Sequence, residues 1–476
     1  MTERNMNAEM TRHGRFALTL GAALVLAACA GAPKAPPQMD LPKPAQQTAP
    51  AAINQWWQSF GDPVLDTYVA EALAHNSDVQ LAAARVRQSR GALDAARTNL
   101  LPTVDLTVAG ARKSVSDDTR QPGQPKISNN FTGGFTVAYE IDLFGRLAAE
   151  REVAAQNLAA SEYGQEVTRI AVAAQTARAY FSLRALDADE ALYTRTLATR
   201  DELLVLQKRR LDAGVIGPYA YALVEAERAS VAAALPVIRA AREQAEVSLS
   251  LLLGRSPREL AERQPDRGAE VEALAQVPEV PAGLHSELLQ RRPDVRVAEA
   301  QLAAASANVE AARARWFPTI SLTGFLGGET GSLSDLISSA ANTWNVAGMV
   351  AQPLVGLARI SADVDQATAQ RDQAELAYRQ TARQAYADAL SSLSAARGAR
   401  EALAATVNLR DSRVKVHELA VKTFQAGQTS RLDLLDAERE RLTAERQLVT
   451  ARRERLLALV NVYQALGGGW SGQLTR

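Results

Sequence analysis

The stretch from Pro293-Asp294-Val295 through Ala311-Ala312-Arg313 to Phe317-Pro318-Thr319-Ile320-Ser321-Leu322 decides the fold. Its first part is rich in Ala, Leu, Glu and Arg, with no Gly or Pro inside it, and reads as one helix. Pro318 ends that helix by clashing with the preceding turn and pushing Phe317 toward extended backbone. Thr319, Ser321 and Thr323 then alternate with Ile320 and Leu322, the two-residue period of a strand. The same design occurs earlier. Asp78-Val79 opens a helix through Ala95-Ala96-Arg97, Pro102 ends it, and Thr103-Val104-Asp105-Leu106-Thr107-Val108 alternates. Asp78 to Pro102 and Asp294 to Pro318 have equal spacing, which marks a duplication.

Working outward, the first repeat spans 53–270 and the second 271–476. In the first, a helix follows Pro63 to about Leu100, and a β-hairpin occupies 102–143. The polar run Arg112 to Ser128, holding Gly123 and Pro125, reads as its loop. The second strand sets Phe131, Phe135, Val137, Tyr139, Ile141 and Leu143 on one face and Thr132, Thr136, Glu140 and Asp142 on the other. That alternation over about 10 residues fits either an outer-membrane barrel strand or a half-buried soluble sheet. Long helices follow over 145–213 and 217–254, and residues from about Pro257 to Gly283 read as an irregular linker. The second repeat gives a helix from Asp294, a hairpin over 318–354, and long helices over 357–426 and 430–466. Tyr378, Ala382, Ala385, Ala389, Leu393 and Ala396 fall at helical spacing and form a seam of small residues for close antiparallel packing.

The formal net charge is zero and no basic block occurs, which argues against a nucleic-acid partner. Histidines at 13, 75, 285 and 417 are scattered outside any metal-ligand motif and read as surface residues, His13 lying in the leader. No G-x-S-x-G, P-loop or H-E-x-x-H occurs, so the sequence offers no enzyme chemistry and calls for no cofactor or metal. The only cysteine is Cys29. Arg12 and Arg15 precede an apolar run from Phe16 to Leu26, too short to span a bilayer, and Leu26-Ala27-Ala28-Cys29 resembles a bacterial lipobox. Residues 1–28 then form a signal peptide, Cys29 carries lipid, and the Pro- and Ala-rich segment 29–52 is an extended tether. Ala30 after the cysteine favours the outer membrane, by analogy with known lipoproteins.

Four candidate strands cannot close a barrel, and a bilayer does not tolerate an open sheet edge. Several copies must therefore pool strands. About three copies, giving about twelve strands, leave an open lumen, whereas about two leave one nearly filled by side chains. The helices carry no apolar run of about 20 residues, so they project into the periplasm.

The chain resembles an outer-membrane factor of the TolC-like class, in its NodT-type lipoprotein branch. The matching residues are Trp56-Trp57, Phe60-Gly61-Asp62-Pro63, Asp142-Leu143-Phe144-Gly145-Arg146, Arg291-Arg292-Pro293-Asp294, Phe317-Pro318, Gly427, Leu432-Asp433, Leu435-Asp436-Ala437 and Leu466-Gly467-Gly468-Gly469-Trp470. The resemblance implies an α+β membrane protein: a homotrimer with a twelve-stranded outer-membrane β-barrel continued by a periplasmic α-helical barrel and a mixed equatorial belt. It implies as partners a periplasmic adaptor and an inner-membrane RND-type pump. It also implies a role as the passive exit duct for drugs or other small molecules. The chain departs from the pattern at Val355-Gly356-Leu357-Ala358-Arg359, where relatives carry Phe and paired glycines, so the end of the fourth strand is left open.

Asp433 and Asp436, in Ser430-Arg431-Leu432-Asp433-Leu434-Leu435-Asp436, stand in the first turn of the last long helix. Ser430 suits an N-cap and Asp433 the positive helix end, which is a capping role. By the resemblance, aspartates here ring the pore constriction and attract cations. Aligning Gly214 with Gly427 sets Ala220 and Leu223 on the two aspartates, so the equivalent turn folds without them, and the functional reading is preferred. Two other readings remain open: the duct of a type I secretion system, and a lipid-anchored periplasmic coiled-coil scaffold without a pore.

Overall fold

The computed structural model describes residues 55–262, 264–275 and 292–468. Cys29, the tether, His13, His285, Arg291, Gly469 and Trp470 lie outside the described residues.

A turn of 3-10 helix, Trp56–Phe60, leads into α1, Pro63–His75, and α2, Ser77–Thr98. The single helix read to Leu100 is thus split at Asn76. Its side chain accepts from the backbone N–H of Asp78 and Val79 and starts α2 as an N-cap. Strands β1, Thr103–Ser114, and β2, Ile127–Ile141, form the first hairpin. The first repeat continues with α3, Arg146–Asp212, α4, Pro218–Leu252, and the short α5, Pro257–Glu262, and α6, Val271–Leu274. The linker therefore holds two helical turns that composition alone did not reveal. In the second repeat, α7, Pro293–Ala314, leads to β3, Thr319–Thr330, and β4, Asn342–Ala351. Then come α8, Leu357–Gln425, and α9, Arg431–Ala465. The strand end left open above falls at Ala351, three residues short of the hairpin bound read at 354, and Gly356, at φ 101°, supplies the left-handed residue that starts α8.

The four strands form one antiparallel sheet in the order β1-β2-β3-β4. The β2–β3 pairing runs from Phe131↔Thr330 to Ile141↔Ile320, so the two repeats join in a single sheet. Register places Leu106, Phe135, Leu326 and Trp344 in one row across all four strands. They are 70%, 54%, 66% and 73% exposed, so the apolar face is uncovered by this chain. Thr107, Gly134, Gly327 and Thr343 form a row on the opposite face.

The 67 residues of α3 and the 69 of α8 give rods of about 100 Å each. Each runs past two shorter helices set end to end. Asn76 Nδ2 donates to the Leu252 carbonyl at 2.9 Å, so α4 ends where α2 begins. Arg292 Nη1 donates to the Ala465 carbonyl at 2.8 Å, and α9 ends where α7 begins. Side by side the packing order is α2/α4, α3, α7/α9, α8. In α8 the seam residues Tyr378, Ala382, Ala385, Ala389 and Ala396 are buried.

The aromatic core lies midway, where α1, α3, α4, α6 and α9 meet. Trp56 stacks on Tyr463 at 5.2 Å, and Phe60 packs on Phe181 at 4.9 Å. Fully buried Asp62 caps α1 through Val64 N–H and accepts from Tyr180 Oη at 2.5 Å and Ala269 N–H at 3.0 Å. Burial and the neighbouring carboxylate push the Tyr180 phenol up, so it remains a donor. The Asp62 motif therefore pins the segment after α5 to the core.

Candidate functional site

Two helical hairpins end at the extremity farthest from the sheet, and both turn the same way. At Gly214, φ 70°, Val215 N–H bonds back to Arg210 O at 2.8 Å. At Gly427, φ 71°, Gln428 N–H bonds back to Thr423 O at 2.9 Å. Each is a Schellman-type stop, in which a left-handed glycine satisfies the last carbonyls. The restarts differ: Gly217-Pro218 opens α4, and Ser430-Arg431 opens α9.

Ser430 and Asp433 form a reciprocal capping box. Asp433 Oδ2 accepts from Ser430 N–H at 3.0 Å and from its hydroxyl at 2.7 Å, while Asp433 N–H donates to Ser430 Oγ at 3.2 Å. These donors hold the Asp433 carboxyl below its ordinary range, so it stays ionised. Asp436 lies one turn on, 3.2 Å from Arg439 of the same helix. Both aspartates are exposed, whereas Leu434, Leu435 and Ala437 between and beside them are buried. The two carboxylates share the outer face of one helical turn, and capping is part of what Asp433 does.

Just inside this turn is a charged joint that the sequence did not disclose. Arg200 of α3 is ion-paired with Glu438 of α9, and both side chains are largely buried. Glu438 also faces His417 of α8, at 3.8 Å from Nε2. His417 is therefore no surface histidine: its side chain is 20% exposed, and burial first, then Arg441 and Arg200, lowers its pKa against the pull of Glu438. Arg431 lies over the Phe424 ring at 5.4 Å, and burial lowers its pKa. Further out, Arg413 meets Glu440 at 3.3 Å and Arg228 meets Asp201 at 2.7 Å. Only the shared Glu-x-Glu-Arg spacing after Gly214 and Gly427 hinted at such pairs.

At the other end, Asp142 caps α3 through Leu147 N–H at 3.1 Å and Ala148 N–H at 2.7 Å. Phe144 stacks on Phe317 at 4.7 Å and locks the two strand–helix corners together. Among the described residues no His, Cys, Asp or Glu group is arranged to hold a metal ion. No described helix is long and apolar enough to cross a membrane.

A family model for outer membrane efflux proteins matches residues 68–255 and again 284–468, one match on each repeat. The chain belongs to the outer membrane efflux protein family. This efflux protein is 34% identical to the antibiotic efflux pump outer membrane protein ArpC of Pseudomonas putida, over 93% of this chain and 92% of that one. It is 32% identical to the pyoverdine export outer membrane protein OpmQ of Pseudomonas aeruginosa, over 95% and 96% of the two chains. Its structure superposes with TM-score 0.80 on the open state of the MtrE outer membrane channel of Neisseria gonorrhoeae, at 29% identity over 93% and 100% of the chains. The efflux protein is thus an α+β outer-membrane channel component with an internal duplication. It acts as the outer-membrane exit duct of an efflux system.

Proposed function

We propose that three copies of this chain pool their sheets into a twelve-stranded barrel, continued below by a cylinder of the long helices. One observation carries this. The sheet has two unpaired edges, β1 and β4, and an exposed apolar face running across every strand. Unpaired amides and bare apolar rows are compatible with a bilayer only when the sheet closes with others. The outer face meets lipid, and the face bearing Thr107 and Thr343 lines water.

On this reading Cys29 carries the lipid anchor, and the tip bearing Asp433 and Asp436 is the constriction. The symmetry of the assembly gathers the two carboxylates from every copy into one ring, which attracts cations and slows anions. The tip is closed at rest. It opens when a periplasmic adaptor docks on the turns at Gly214 and Gly427, joining the duct to an inner-membrane RND-type pump. The relatives named for antibiotic and pyoverdine export support small-molecule cargo over a secreted polypeptide. The test is planar-bilayer recording with Asp433→Ala and Asp436→Ala combined. Relief of divalent-cation block with retained insertion is expected, and unchanged conductance and block would overturn the ring.

A further inference from the structure

The duplication supplies a template for a contact that one copy cannot make. Within the chain, the long helix of the first repeat, α3, packs on the short tip helix of the second, α9, and Arg200 meets Glu438 there. The reciprocal contact would set the long helix of the second repeat, α8, against the tip helix of the first, α4. In the packing order these two stand at opposite ends of the row, so each keeps a free flank. The shift that carries Gly214 onto Gly427 also carries Arg200 onto Arg413 and Glu225 onto Glu438.

Burial marks the uncovered side. Val460 of α9 is fully buried in the core, yet its counterpart on α4, Val247, is 53% exposed. Val237 and Leu251 on α4, and Leu390, Leu409 and Val416 on α8, are exposed as well. Glu438 is held by Arg200 and faces His417, whereas Glu225 is exposed and forms no ion pair among the described residues. Arg413 is 41% exposed and, among the described residues, is ion-paired with the exposed Glu440 of α9 at 3.3 Å. The two helices thus expose apolar side chains and carry opposite charges at equivalent heights.

We infer that α8 of one copy docks on α4 of the next, with Arg413 reaching Glu225 of the adjacent copy as Arg200 reaches Glu438 within the chain. The inference rests on the multi-copy reading and adds its register. Leu204 stands where His417 stands in the internal joint, so the joint between copies has an aliphatic side chain in place of the imidazole.

The test combines Glu225→Cys with Arg413→Cys in the full-length chain and treats it with a short bis-maleimide that spans an Arg–Glu pair, whose backbones stand farther apart than a disulfide reaches. Denaturing gels should then show covalent dimers and a closed three-copy band, both absent from either single variant. Separately, Glu225→Arg and Arg413→Glu should each raise the open fraction severalfold in bilayers, and the two combined should restore it. Assembly to the normal particle mass without crosslinks or rescue would overturn this register while leaving the multi-copy reading intact. Failure of the unmodified chain to assemble would overturn both.

Discussion

Glu438→Gln separates a working joint from an incidental contact. Glu438 accepts from Arg200, whose side chain is 6% exposed, and lies beside His417. The substitution keeps volume but leaves the Arg200 guanidinium buried without its counter-ion. Breaking a buried pair by removing one partner costs about 3–5 kcal/mol, and the 19% exposure of Glu438 places the effect near the lower figure. Since 1.4 kcal/mol is a factor of ten, about 3 kcal/mol shifts a closed–open equilibrium roughly a hundredfold toward open. The joint ties α3 to α8 and α9 at the tip, so its loss should loosen that extremity and leave the strands untouched. Single-channel recording should show a much higher open probability at unaltered maximal conductance. Normal assembly with a wild-type open probability would refute the joint's role in holding the tip shut.

Three further outcomes follow from the same structure. Asp62→Ala strips a partner from Val64 N–H, Tyr180 Oη and Ala269 N–H, all within 3.0 Å. At about 1–3 kcal/mol per buried group left unmet, a loss near 3 kcal/mol or more should appear in denaturant unfolding and as faster proteolysis near residue 264. His417 has a lowered pKa, so the unfolded joint binds more protons than the folded one as pH falls below about 6.5. Stability is therefore full above that pH and declines below it; His417→Leu should flatten the acid dependence of tip opening, seen in bilayers between pH 7 and 5. Leu326→Arg, at the middle of the apolar row, should cost about 2–4 kcal/mol if that face meets lipid, read as lost insertion into vesicles, whereas Thr343→Arg on the opposite face should insert normally.

Much of the fold was legible because its signals are local. Glycines at 214, 356 and 427 and Pro218 punctuate the chain, and helix ends fell within a residue or two of them, whereas the helices before Pro102 and Pro318 stop four residues short of the proline, at Thr98 and Ala314. Strand ends were less legible. Arg112 and Lys113 look like loop residues, but β1 continues through them because pairing with Asn129 and Ser128 does not depend on side-chain polarity. The start of α2 at Asp78 was read from the repeat, but the break before it was not, because Asn76 is a residue that also occurs within helices. Its meaning comes from the Leu252 carbonyl, far away in sequence. Asp433 and Asp436 could be singled out by comparing the two repeats, whereas Arg200, His417 and Glu438 could not: their chemistry arises from three helices meeting.

The most direct measurement is the number of copies in the detergent-extracted particle by native mass spectrometry, taken alongside its gel mobility before and after heating. Three chains per particle and a heat-sensitive shift are expected. A single chain with no such shift would contradict the claim that the sheet closes by sharing.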